Sequence, residues 1–103
     1  MEYTNRNHAD YIFSTSINNI TFKNCCFSNA IFQDISINNV QFIDCELNDV
    51  VINNCYIANT KFVNETKEIP QITVLNCEII KTSFCNVFFL LIKIDFVIMR
   101  NFH

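Results

Sequence analysis

The heptapeptide at residues 16–22, SINNITF, returns at residues 36–42 as SINNVQF, with five of the seven positions identical. A third and looser copy, YIANTKF, occupies residues 56–62. Phe22, Phe42 and Phe62 therefore recur at a spacing of 20 residues. A fixed period of this length is typical of repeat architectures, in which like residues of neighbouring units stack on one another.

A shorter period of five divides each 20-residue unit into four pentads. Every pentad centre from Ile12 to Phe62 is large and apolar, and the residue two positions earlier is mostly small or apolar. The residue two positions later is Asn or Asp in ten of eleven pentads. After Ile12, the centres give the predicted core: Ile17, Phe22, Phe27, Phe32, Ile37, Phe42, Leu47, Ile52, Ile57 and Phe62.

The pentad pattern excludes both regular helices and long flat strands. A helix with 3.6 residues per turn cannot keep a five-residue repeat on one face, and a strand alternates faces at every odd step. Asn and Asp at every fifth position indicate turns, because both residues tolerate left-handed backbone angles. Four short extended pieces joined by such turns make one circuit of an all-β solenoid. In this frame Tyr11 and Phe13 are predicted to point outward.

The pattern at residues 10–64 resembles the pentapeptide-repeat family. The resemblance implies a right-handed quadrilateral parallel β-helix in which the pentad centre and the residue two positions before it point inward. Many members of that family carry glycine where this chain has Asn or Asp, and the chain contains no glycine.

The chain is expected to form one domain over residues 1–103. Regular coils are predicted for 10–64, a loop insertion that adds two residues to the register for 65–71, and further coils with an apolar C-terminal cap for 72–103. A non-repeat or helical tail is the alternative for that last part, as is a chain cut from a longer parent. Apolar residues at predicted outward positions of the tail suggest a homodimer interface: Phe88, Leu90, Leu91, Phe96 and Ile98.

The six cysteines fall into two groups in this register. Cys25 and Cys45 share an inward column one circuit apart, and Cys55 and Cys77 are inward as well, so small core fillers are expected. A disulfide or a chelating pair formed by Cys25 and Cys45 is the alternative. The outward group, which is expected to be more reactive, consists of Cys26 and Cys85.

Several function classes are not expected. The net charge of −3 argues against direct nucleic-acid binding, and the absence of glycine excludes a P-loop or dinucleotide-binding turn. Histidine occurs only as His8 and His103, near the two ends, so no nucleophile–base pair is evident. We therefore expect no enzyme activity, no cofactor and no metal site.

The favoured function is a non-catalytic protein-binding or scaffold module that presents a rigid β-helical surface. No secretory signal or apolar run of about 20 residues is recognised, so a cytoplasmic location without a membrane role is expected. TFKNCCF at 21–27 and FIDC at 42–45 also resemble the luminal β-helix of synaptic-vesicle glycoproteins. That alternative implies glycosylation at the sequons of Asn19 and Asn64. Some acidic members of the pentapeptide-repeat family mimic DNA and bind topoisomerases, which suggests a third function. This function is the least supported, because the chain has few outward carboxylates.

Overall fold

A computed structural model describes the backbone of residues 1–65, 71–85, 88–90 and 98–100, and the side chains of 1–65 and 72–85. In these ranges every regular element is a short β-strand. The strands are β1 (Glu2–Thr4), β2 (Ile12–Phe13), β3 (Ile17–Lys23), β4 (Ile31–Gln33), β5 (Ser36–Ile43), β6 (Val50–Asn53), β7 (Tyr56–Ala58), β8 (Lys61–Val63), β9 (Gln71–Leu75), β10 (Glu78–Ile80), β11 (Ser83–Cys85), β12 (Phe88–Leu90) and β13 (Ile98–Arg100).

All strand pairs are parallel, and each strand pairs with the strand one circuit further along the chain. Sheet I joins β1, β3, β5, β7, β8, β10, β11 and β13, and sheet II joins β2, β4, β6, β9 and β12. Phe22 of β3 lies opposite Phe42 of β5, which lies opposite Phe62 of β8. The described chain is therefore a parallel β-solenoid of about four turns, as the 20-residue spacing predicts.

Each circuit has four sides, which we number in chain order. Side 1 carries the Phe22 column, and side 2 is held by the isolated bridges from Asn7 to Cys26 and from Cys26 to Glu46. Side 3 is sheet II with the Phe32 column, and side 4 carries Ile37 and its stacked equivalents. Sides 1 and 3 consequently lie opposite each other across the core.

The corners are formed by residues with left-handed backbone angles. Most of them belong to the predicted Asn/Asp column, and each has φ between 48° and 62°. At the corner the backbone N–H turns toward the next circuit, as when Asn24 N donates to the Ile43 carbonyl oxygen at 2.9 Å. The residues are Asn5, Asp10, Asn19, Asn24, Asn29, Asp34, Asn39, Asp44, Asp49, Asn54, Asn59, Asn76 and Lys81. Asn and Asp substitute for glycine here because their polar side chains tolerate this conformation.

Amide side chains at the corners form hydrogen bonds between circuits. Asn39 Nδ2 donates to Asn19 Oδ1 at 2.8 Å, and Asn54 Nδ2 donates to Asp34 Oδ1 at the same distance. Stacked phenyl rings fill the interior of side 1: the ring centroids of Phe22 and Phe42 lie 5.3 Å apart, and those of Phe42 and Phe62 lie 4.7 Å apart. Corner amides and core rings thus follow the same repeat.

The first circuit corrects the predicted frame. The pentad pattern predicts Ile12 as an inward centre and Phe13 as an outward residue, but Phe13 stacks on Phe32 at 4.5 Å, whereas Ile12 is 52% exposed. Tyr3 pairs with Phe22, at an offset of 19 residues. One side of the first circuit is therefore one residue shorter than in the later circuits, because the spacing from Phe13 to Ile17 is four positions and the equivalent spacing from Phe32 to Ile37 is five.

Beyond residue 65 the register changes. Ile57 pairs with Ile79 and Phe62 with Phe84, an offset of 22 in place of 20. Most of the predicted loop at 65–71 lies outside the described residues. Of the C-terminal part, β12 pairs with β9 and β13 pairs with β10, in both cases parallel.

Candidate functional site

The predicted core residues lie inside the solenoid. Nine of the ten are at most 3% exposed, and Ile17, in the first circuit, is only partly buried. Ring stacking continues through Phe84, whose centroid lies 4.7 Å from that of Phe62. The interior of the described circuits is thus a packed core, and the surface is where the chain can meet a ligand.

The four inward cysteines are buried and unpaired in disulfides. Each follows a corner residue, and its thiol donates to the carbonyl oxygen that precedes the corner: Cys45 Sγ lies 3.5 Å from the Ile43 oxygen and Cys77 Sγ 3.1 Å from the Leu75 oxygen. Thr60 Oγ1 makes the same bond to the Ala58 oxygen at 2.9 Å. The sequence pattern predicts small core fillers at these positions and does not predict this hydrogen bond. The signal was present in the Cys or Thr that directly follows Asn or Asp.

Burial contributes to a raised pKa at two of the four inward thiols, those of Cys45 and Cys55. Burial raises the pKa of the Cys45 thiol to about 12. Hydrogen bonding with Cys77, and then burial, raise the pKa of the Cys55 thiol. Hydrogen bonding from Cys55, whose backbone N–H lies 3.4 Å from Cys77 Sγ, lowers the pKa of the Cys77 thiol. Reactivity is expected first at Cys85, because its thiol is exposed whereas the four inward thiols are buried.

The first circuit presents an apolar end surface, which we call the rim (residues 1–17). Tyr3, His8 and Phe13 occupy inward positions there and stack on Phe22, Phe27 and Phe32, with centroid distances of 5.7, 5.2 and 4.5 Å. Two depressions with cavity volumes of about 280 and 290 Å³ open beside them, and both contain His8, Phe13 and Ile17 in their lining. Core-type side chains thus reach the molecular surface at this end.

His8 is the titratable ring of the rim whose pKa is shifted. Its Nε2 atom is enclosed and has no hydrogen-bond partner among the described residues. Burial, together with the nearby Arg6 charge, lowers the pKa of His8. The Arg6 guanidinium lies over the Tyr3 ring, 5.2 Å from its centroid. The imidazole therefore behaves as a neutral aromatic ring of the stack.

The outer surface of sheet II carries a second apolar feature. Its members lie in register on successive strands and point away from the core, forming a column that we call the wall: Ile12, Ile31, Val51 and Thr73. Ile12 is exposed and the other three are partly exposed. The wall is supported from behind by Phe32 and Ile52, which are 2% and 1% exposed. A rigid sheet therefore holds this column in place.

The two predicted glycosylation residues differ in exposure. Asn19 lies at an exposed corner, where its side-chain oxygen accepts a hydrogen bond from Asn39. Asn64 is only 3% exposed. Of the predicted C-terminal interface, Leu91 and Phe96 lie outside the described residues, and for Phe88, Leu90 and Ile98 only the backbone is described.

No group of three or more His, Cys, Asp or Glu side chains suitable for a metal ion occurs in the described ranges. Those ranges also contain no helix with the length and apolar character that crossing a bilayer requires. Comparison with protein families finds no family whose sequence pattern matches the chain, and no curated protein matches it.

Proposed function

We propose that the chain is a pentapeptide-repeat protein that acts as a non-catalytic protein-binding or scaffold module in the reducing cytoplasm. The observation that carries the proposal is the wall, an in-register apolar column on the outer surface of a rigid parallel sheet. Ile31 and Val51 lie opposite each other on adjacent strands, which are spaced about 4.8 Å apart in a β-sheet. Exposed apolar surface that the fold holds in place is typical of protein interaction sites.

The rest of the described chain favours binding over catalysis. Its interior is filled by packed side chains, and its thiols and hydroxyls at the corners are used to bond backbone carbonyl groups. Asp34 and Asp44 likewise serve as acceptors for Asn54 Nδ2 and the Glu65 backbone N–H. These carboxylates therefore stabilise corners, and for this reason DNA mimicry is the least supported of the candidate functions.

Photo-crosslinking from the wall tests the proposal. The photoreactive amino acid p-benzoylphenylalanine is introduced at Val51, and in a matched control at Asn48, which is exposed on side 2. We expect a saturable partner to crosslink from Val51 and much less from Asn48. Purified partner should then bind Val51→Lys at least about tenfold more weakly than Asn48→Lys, since one charge in an apolar contact costs over about 1.4 kcal/mol. Equal crosslinking from both positions, or equal binding by both variants, would contradict the proposal.

A luminal glycosylated β-helix is the second candidate, and the exposure of Asn19 favours it. Expression in a eukaryotic secretory system tests this function directly. The structure leads us to expect a single glycan, at Asn19, because Asn64 is buried. A mobility shift that Asn19→Gln removes would support this candidate, and secretion of an unmodified chain would exclude it.

A further inference from the structure

The wall is bordered by carboxylates on both of its edges. The corner before side 3 carries Asp10 and Asp49, and the corner after it carries Asp34, all three exposed to solvent. In the described ranges no Lys or Arg lies on side 3 or at either of these corners. Lys23 and Lys61 lie on side 1, across the core. The surface around the wall is therefore apolar along the column and negative at both edges.

The backbone of the strands behind the wall is already occupied by other strands. β4, β6 and β9 each have a hydrogen-bonded strand on both sides. An added strand therefore cannot extend sheet II between them, and a partner meets only side chains there. Such a partner must pack on the outer face of the sheet as a second layer.

The spacing of the wall favours a helix over an extended segment as that second layer. The wall side chains lie on successive parallel strands, which are about 4.8 Å apart. Residues three or four apart on a helix lie about 5–6 Å from each other, whereas same-face residues of a strand lie about 6.6 Å apart. A helix along the solenoid axis therefore matches the wall more closely. The wall is about 14 Å long, which about ten helical residues cover.

We propose that the wall binds a basic amphipathic helix of a partner protein, with an apolar stripe on the wall and Lys or Arg along both borders of the stripe. The inference rests on the proposed function and names the chemistry of the partner. The stripe covers Ile31 and Val51, which the fold leaves partly exposed. The bordering cations lie beside Asp49 on one edge and Asp34 on the other.

The same charges argue against a second copy of the chain as the occupant. Two walls packed face to face bring carboxylates toward carboxylates at both edges. Like charges placed together across an interface are unfavourable, whereas opposite charges favour both association and the correct register. A cationic partner is therefore the complementary one.

Fluorescence anisotropy of the full chain with a labelled synthetic peptide tests the proposal. The Leu/Lys peptide has about 18 residues, with Leu in a helical stripe and Lys on both borders. One control, the Leu/Glu peptide, keeps every Leu and replaces each Lys by Glu. The other control is a scrambled Leu/Lys peptide with the same charge. We expect a micromolar dissociation constant for the Leu/Lys peptide and binding at least about tenfold weaker for both controls.

Variants of the chain separate the apolar and the charged contributions. Val51→Lys should weaken binding of the Leu/Lys peptide at least about tenfold, because it places a cation in the apolar contact. Gln41→Lys, on side 1, adds the same charge far from the wall and should change binding less than about twofold. Far-ultraviolet circular dichroism checks that each variant is folded.

Aspartate-to-asparagine variants remove charge and keep the corner conformation, which Asn adopts at most corners of this chain. Asp49→Asn should weaken binding of the Leu/Lys peptide about two- to fivefold, the range expected for one exposed ion pair. Asp44→Asn, at the corner between sides 1 and 2, is the matched control and should change binding less than about 1.5-fold.

Three outcomes would overturn the proposal. The first is equal binding of the Leu/Lys peptide and either control peptide. The second is wild-type affinity in Val51→Lys or in Asp49→Asn. The third is a dimer of the chain alone that Val51→Lys dissociates in sedimentation velocity, because it would assign the wall to a second copy. Photo-crosslinking from Val51 remains the separate test of the proposed function. A partner whose adduct lies outside any basic amphipathic helix would retain that function and overturn this inference alone.

Discussion

The first and second circuits contain similar inward side chains, yet they differ in how completely these are buried. Phe22 and Phe32 of the second circuit are 3% and 2% exposed, whereas Tyr3 and Phe13, directly above them, are only half-buried. The difference is that the second circuit has a neighbour on each face. Burial in a solenoid is thus set by stacking on both sides, and stability is largely a sum of contacts between neighbouring units.

The largest effect is expected from a charge placed within the stack. Phe42→Asp puts a carboxylate between the rings of Phe22 and Phe62, with no partner for it. The lost ring and the buried carboxyl group together should cost an amount within the roughly 5–15 kcal/mol by which a small domain is stable, so cooperative unfolding should be lost. Tyr3→Asp, at the rim, should keep a cooperative thermal transition. A cooperative melt for Phe42→Asp would contradict the difference between the two circuits.

Truncation of one ring stacked on both faces and of one ring of the first circuit measures that difference in energy. Phe42→Ala should lower the free energy of unfolding by about 3–5 kcal/mol, since it leaves a cavity between two rings. Phe13→Ala should cost only about 1–2 kcal/mol, because its ring is already partly exposed. Urea denaturation monitored by circular dichroism gives both values. Equal costs would mean that stacking on both sides does not decide burial.

Corner residues should have a smaller effect. Asn39 has φ of 55° and donates to Asn19, so Asn39→Ala should cost about 1–2 kcal/mol. Asn39→Gly should cost less, because glycine adopts this conformation freely. Asn48→Ala, at an exposed position without a left-handed angle, is the control and should stay within about 0.5 kcal/mol. If Asn39→Ala cost no more free energy of unfolding than this control, the left-handed corner angle would not be what Asn39 stabilises.

Cysteine ionisation should make stability depend on pH above neutrality. The pKa of Cys45 is raised from its ordinary value to about 12 in the folded chain, so the folded state holds this proton more tightly than the unfolded state. The contribution of the Cys45 thiol to the free energy of unfolding is complete below the ordinary thiol pKa and is lost as the pH rises toward 12. Cys45→Ser should show a shallower decline in the urea midpoint between pH 9 and 12 than the wild type. Identical declines of the urea midpoint in Cys45→Ser and in the wild type would show that Cys45 ionisation does not affect stability.

The smallest effect is expected at a corner that lacks Asn or Asp. Lys81 has φ of 48°, a conformation for which its side chain gives no compensation. Lys81→Asn should raise the free energy of unfolding by about 0.5–1 kcal/mol. Lys61→Asn, which lies on β8, serves as the control and should not stabilise. No gain from Lys81→Asn would show that the last described corner is not strained.

The core and the corners could be predicted from the sequence, because both depend on side-chain type at a fixed spacing. The first circuit could not be placed from the frame of residues 16–62, since one of its sides is a residue shorter. Tyr3, His8 and Phe13 have their own spacing of five, with Asn5 and Asp10 two residues after the first two, and this was the available signal. The rim and the wall depend on which columns stay uncovered, which the spacing of residues does not encode.

The solenoid fold depends on stacking between like residues of successive circuits, which lie 20 positions apart. Nuclear Overhauser spectroscopy on protein with labelled phenylalanine rings tests this most directly, with each ring assigned by a Phe→Leu variant. We expect ring–ring cross-peaks between Phe22 and Phe42 and between Phe42 and Phe62, in agreement with centroid distances of 5.3 and 4.7 Å. Absence of both cross-peaks in the folded protein would contradict the solenoid.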